Sequence, residues 1–191
     1  ERAQEHIERA LSLAPNDADV LASAGIVALM RREEDKSIHF LTRSLRHNPN
    51  NPHATAALGW QRCLRDGDEK GLAMIVTAEK RAPHHPRYGI WAHYRGASLI
   101  YLNRFEEAAV AYRQSIERNP DYHLSRLGLA GALIHLQRDN EATAAIASAL
   151  KIAPYYTLNH WIALIDAWPG LAGKDKTKAE YIECCRRVWP V

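Results

Sequence analysis

The chain has 191 residues, 47% of them hydrophobic and 25% charged, which excludes a disordered polymer and gives length enough to bury a core without metal or disulfide staples. Its 25 Lys and Arg against 22 Asp and Glu leave a formal charge of +3 mixed along the chain, so the basic stripe that neutralises a phosphate backbone is missing and nucleic acid is not an expected partner. No apolar run reaches the 18 or so residues that span a bilayer, and the three cysteines, Cys63 alone with Cys184 and Cys185 adjacent, fit neither a disulfide framework nor a zinc spacing; the expected setting is a reducing, cytoplasmic one with no membrane.

A repeat sets the expected elements. Pro15, Pro49, Pro83, Pro120 and Pro154 are separated by 34, 34, 37 and 34 residues. Five residues before each stands a small residue (Ala10, Ser44, Ala78, Ser115, Ala149), and twelve before another (Ala3, Ser37, Gly71, Ala108, Ala142). Eight before stands a large apolar one (Ile7, Leu41, Ile75, Tyr112, Ile146). These spacings put all three columns on one helical face, and the proline ends that helix because it lacks a backbone N–H and disfavours helical geometry just before itself. An earlier helix carries its own small residue at Gly25, Gly59, Gly96 or Ala130, so each period reads as a helical hairpin. In chain order, residues 1–17 are a second helix alone, 18–51, 52–85, 86–122 and 123–156 are full pairs, and 157–191 are a degenerate pair with a C-terminal capping helix. About eleven helices are expected in one all-α domain. The first residue falls inside a repeat, so the parent protein is expected to extend N-terminally.

A 34-residue helix-turn-helix with small residues at positions 8, 20 and 27 and Pro at 32 resembles the tetratricopeptide repeat. Asn103-Arg104-Phe105-Glu106-Glu107-Ala108 matches that family's turn and second-helix start, whereas Arg62 and Arg95 fall where it usually buries an apolar side chain, and three extra residues near Pro86-Arg87-Tyr88 lengthen one connection. The resemblance implies a right-handed α-solenoid whose first helices line a concave surface built to hold a partner. Arg81-Ala82-Pro83-His84-His85-Pro86-Arg87-Tyr88, Arg118-Asn119-Pro120-Asp121-Tyr122 and the ending Ile182-Glu183-Cys184-Cys185-Arg186-Arg187 also look like the C-terminal tetratricopeptide region of bacterial, rhizobial-type multidomain regulators. That likeness implies a regulatory role beside an upstream domain such as a class III adenylate cyclase, whose metal-binding aspartates would lie outside these residues.

Family positions carried onto this chain imply a protein-binding groove lined by Ile26 and Met30, then His53, Trp60 and Leu64, then His93, Ile100 and Tyr101, then Leu127, Ile134 and His135. This wall is apolar and aromatic, suited to a protein or peptide with an apolar or amphipathic segment. The C-terminal helix near 175–188 could instead fill the groove or cap the solenoid. Ten histidines invite a metal, and His93, His123, His135 and His160 could be imagined converging, but no pair has the helical three-or-four spacing of a zinc site. Cys184 and Cys185 point about 100° apart on a helix, one expected buried and the other more exposed. No phosphate loop, nucleophile elbow or carboxylate pair is present. The sequence therefore predicts a non-catalytic interaction module without cofactor or metal, with self-association as the alternative and a metal- or ligand-binding enzyme domain as the weaker one.

Overall fold

The turns inside the hairpins explain why a 34-residue period folds as paired helices. The first helix of a pair closes with a residue in the left-handed region, Arg32, Gly67, Asn103 or Gln137 at φ between 57° and 64°. In three of them the next amide reaches back five residues, Glu33 to Ala28, Arg104 to Leu99 and Arg138 to Leu133, each at 2.9 Å. This is the Schellman closure that satisfies orphan carbonyls and reverses the chain. The second helix then starts on a local ion pair, with Arg104 on Glu107 at 2.7 Å and Arg138 on Glu141 at 2.6 Å.

The computed structural model describes residues 2–190, leaving aside the side chains of Arg2, Ala3 and Asp66; the place of Ala3 in the small column lies outside the described residues. Eleven α-helices and no strands are found among them: α1 (Arg2–Leu13), α2 (Ala18–Met30), α3 (Glu34–His47), α4 (Pro52–Asp66), α5 (Glu69–Arg81), α6 (Tyr88–Tyr101), α7 (Phe105–Arg118), α8 (His123–His135), α9 (Asp139–Ile152), α10 (Leu158–Ala167) and α11 (Lys178–Val188), with a 3₁₀ turn over Pro169–Ala172. The fold class is thus an all-α solenoid of stacked helix pairs. The chain divides into two compact units, residues 1–87 with α1–α5 and 88–191 with α6–α11. The division falls in the 82–87 connection, the one marked by three extra residues; the corresponding links 48–51 and 119–122 are shorter.

Within each unit the small columns are where helices touch. Ser37, Ser44, Ala78, Ala108, Ser115, Ala142 and Ala149 are buried. A Cβ at Gly25 would sit 2.6 Å from Leu41, and one at Gly96 would sit 2.9 Å from the Tyr112 ring. The two serines of the column five residues before the prolines add a bond that alanine cannot: Ser44 Oγ donates to the Ala18 carbonyl and Ser115 Oγ to that of Gly89, both at 2.6 Å. In the first unit Ser37 donates to Gln61, which in turn donates to the Glu34 carbonyl. The two out-of-pattern arginines find partners within their hairpins, so neither leaves a buried charge alone. Arg62 pairs with Asp68, the N-cap of α5, at 3.2 Å, and Arg95 donates to Gln114.

The C-terminal part departs from the repeat. α11 packs on α8, α9 and α10. Tyr181, Cys185 and Val188 enter a core shared with Leu127, Ile134, Ile146, Trp161 and Ile165. Thr143 Oγ donates to the Val188 carbonyl at 2.9 Å, and Arg187 pairs with Asp139 at 2.8 Å. The last full repeat is capped by this helix.

Candidate binding surface

The groove residues separate into two groups. In the first unit, Met30 is 52% exposed, and Ile26 and Leu64 are half-buried. Met30 and Leu64 hold the same place at the ends of α2 and α4, so an apolar edge lies open to solvent there. His53 and Trp60 are buried instead. The His53 ring meets the Arg87 guanidinium at 2.5 Å, and burial, then Arg87 and His85, push its pKa down to about 3, so it is a neutral acceptor.

In the second unit, Ile100, Leu127 and Ile134 are buried, as are Leu29, Cys63, Ala22 and Ala56 at the same repeat positions in the first unit, so packing within the repeats encloses these positions; Leu127 and Ile134 also meet α11 residues in one core. His93 sits edge-on to Tyr112 and Tyr122, with centroids 5.5 and 5.1 Å away, and burial lowers its pKa to about 4. It contacts Ser125 at 3.2 Å. Tyr101 and His135, the counterparts of Met30 and Leu64, are covered by residues 168–176. A Cβ at Gly170 would enter the Tyr101 ring, and one at Gly173 would lie 2.9 Å from His135 and 3.1 Å from Phe105. Only glycine fits at either place, and Gly173 also needs its φ of 71° and ψ of −166°, a region closed to side chains.

His135 is the best-enclosed group of this surface. Its side chain has no exposure, and its Nδ1 is 2.9 Å from an Asp175 carboxylate oxygen. The ring stacks between Phe105, at 4.1 Å and 3°, and Tyr181, at 4.8 Å and 14°. Burial outweighs the carboxylate and holds the His135 pKa below its usual value. Burial opposes charge on Asp175 too, but Lys176 and His135 prevail and draw its pKa down. The Lys174 amide donates to the Asn103 side chain at 2.7 Å. Asn103, the left-handed residue of the α6–α7 turn, therefore both reverses the chain and holds the segment that crosses it.

The histidines do not converge. His123 packs on Tyr155 and Tyr156, and His160 caps α10 through Thr157. Among the described residues no three His, Cys, Asp or Glu side chains are grouped as a metal's ligands would be. Cys185 is buried, with its thiol pKa pushed up to about 12 by burial, while Cys184 is half-buried. No described helix is long and apolar enough to cross a membrane. Sequence reasoning missed residues 168–176; their signal was the pair of glycines, Gly170 and Gly173, inside an otherwise degenerate repeat.

Residues 95–157 match the family model of the tetratricopeptide repeat. Among solved structures, the chain is similar to PilW, a widely conserved type IV pilus biogenesis factor, at 16% identity and a TM-score of 0.68, covering 94% of this chain and 81% of that one. It is also similar to TTC0263, a thermophilic tetratricopeptide protein of Thermus thermophilus, at 22% identity and a TM-score of 0.67, covering 84% and 86%. A third likeness is to YrrB, a tetratricopeptide protein with an unusual peptide-binding site, at 14% identity and a TM-score of 0.54, covering 95% and 91%. No curated protein matches the chain. The family match and the shared fold support the tetratricopeptide reading and are consistent with a protein–protein interaction module.

Proposed function

We propose that the chain is a non-catalytic interaction module that grips an apolar or amphipathic peptide segment on its first-helix faces. The observation that carries this reading is the segment 168–176, a stretch of peptide with one 3₁₀ turn held against Tyr101 and His135 by close glycine contacts, by Asp175 on His135 and by one amide bond. First-helix residues of this chain thus have the chemistry to hold peptide that is not α-helical. The open edge at Met30 and Leu64 is the corresponding place for a partner in the first unit. The peptide-binding site of its fold neighbour YrrB supports the same use. The likeness of residues 81–88, 118–122 and 182–187 to bacterial multidomain regulators supports a role as the C-terminal regulatory region of a larger signalling protein, such as an adenylate cyclase.

The test is a displayed peptide library panned on the whole chain. Apolar or amphipathic sequences are expected to be enriched, and Met30→Glu or Leu64→Glu should weaken the recovered peptides more than tenfold at unchanged helicity. No enrichment, or binding indifferent to both substitutions, overturns the reading. A concentration-dependent dimer in light scattering that both substitutions abolish replaces it with self-association.

A further inference from the structure

Residues 168–176 combine features of a bound ligand with features of a weakly held loop. Their contacts to the repeats include Gly170 on Tyr101, Gly173 on Phe105 and His135, the Lys174 amide on Asn103 and Asp175 on His135. The Leu171 backbone adds a contact to the His135 ring. Ala172 is its buried residue, whereas Pro169, Lys174 and Asp175 are exposed. The α10 and α11 helices that flank it have their own places in the core through Trp161, Ile165, Tyr181 and Cys185. Segments with little buried apolar area and solvent-facing backbone bonds open at a small fraction of the global stability, so this stretch can lift while its flanking helices stay docked.

Resting on the interaction-module reading, we infer that residues 168–176 form an internal strap over a recognition surface made by Tyr101, Asn103, Phe105 and His135, and that a partner segment of the same chemistry displaces it. The strap defines that chemistry: a glycine to face Tyr101, a second glycine three residues on in an extended left-handed conformation, and a carboxylate two residues after that for His135. A side chain at either glycine position collides with the rings, so the surface selects Gly-x-x-Gly-x-Asp and rejects β-branched substitutes. The strap is tethered at both ends and competes at an effective concentration of order 1 mM, which lowers the apparent affinity of any rival in proportion to the time it is closed.

The experiment uses the full chain and a labelled peptide with the sequence of residues 168–176. In Gly170→Val the new side chain enters the Tyr101 ring, and Asp175→Asn removes the carboxylate from His135 with little change of shape. Trypsin should cut both variants after Lys174 or Lys176 at least fivefold faster than wild type, with helicity retained. Both should bind the peptide at least tenfold more tightly than wild type, and Tyr101→Ala added to Gly170→Val should abolish that gain. If the variants are cut no faster, the stretch is not a separable strap. If they are cut faster but bind the peptide no better, or bind it regardless of Tyr101, the surface beneath is not a recognition site. Either result overturns this inference while peptides that depend on Met30 and Leu64 would still uphold the interaction module; loss of those peptides too would remove both.

Discussion

The two units apply one repeat to opposite ends. At the closing turn of its first helices, the unit of residues 1–87 presents Met30 and Leu64 as an open apolar edge, whereas the unit of residues 88–191 presents Tyr101 and His135 beneath the chain's own 168–176 segment. The helices, small columns and left-handed turns are alike, so the backbone plan does not decide between an open and a filled surface. The difference lies in two glycines after α10, which let a peptide approach within van der Waals distance of aromatic rings, and in a cap that holds both ends of that peptide in place. A solenoid can thus supply its own occupant locally without altering its repeat.

The largest effect is expected from removing the large residue that fills a hairpin in one unit and its counterpart in the other. Tyr112 is fully buried between Gly96 and Gly128, so Tyr112→Ala is expected to cost about 3–5 kcal/mol, and Leu41→Ala at the same register in the first unit about 2–5 kcal/mol. Urea unfolding of the full chain measures both, and a loss below about 1 kcal/mol in either would mean that the two hairpins are not built alike.

Overfilling is the next lever. Ala78 in the first unit and Ala149 in the second are buried at the same column, and Ala78→Leu and Ala149→Leu should each destabilise by about 1–3 kcal/mol. An unchanged denaturation midpoint for either variant would contradict the shared register. Arg43 is unsuited as an inert control in such series, because it donates to the Pro15 carbonyl and the Asn16 side chain at 3.0 and 3.2 Å.

Acid titration sets one unit against the other in a different way, since each holds an enclosed histidine whose pKa falls far below the usual value, His53 at about 3 and His93 at about 4, with His135 a further lowered one in the second unit. In the unfolded chain a histidine takes up its proton near pH 6.5. The unfolded state therefore binds more protons between about pH 6.5 and 4, so stability is whole above that window and falls as the pH drops through it. His53 and His93 should each contribute about 1 kcal/mol or more of this loss by pH 4.5, and His53→Gln or His93→Gln should flatten the slope of the unfolding midpoint against pH. An unchanged slope would show the histidine to be protonated at no cost in the fold.

The smallest expected effect is at the open edge. Met30→Glu changes an exposed side chain and should shift stability by less than about 0.5 kcal/mol, although it should abolish peptide capture there. A large loss of stability would mean that Met30 is covered in solution and that the contrast between the units is false.

The repeat, the helix pairs and the columns that pack them were legible in the residues alone, because small, large and small residues at fixed helical spacing admit one face of contact, and proline and the turn residues punctuate it. The extra residues at 86–88 were legible as a lengthened connection, but the division into units that falls there was not, since one domain was expected; the adjacency of Cys184 and Cys185 was enough to expect one buried and one more exposed, as Cys185 and Cys184 are. The state of the groove was decided by tertiary structure. Tyr101 holds the same repeat position as the exposed Met30, yet residues 168–176 lie against it, and His135 looks in sequence like any helix-end histidine until Phe105, Tyr181 and Asp175 meet around it. Local pattern fixes which face a residue takes on its helix; what covers that face depends on contacts between residues some 40 to 70 positions apart, which leave no period to read.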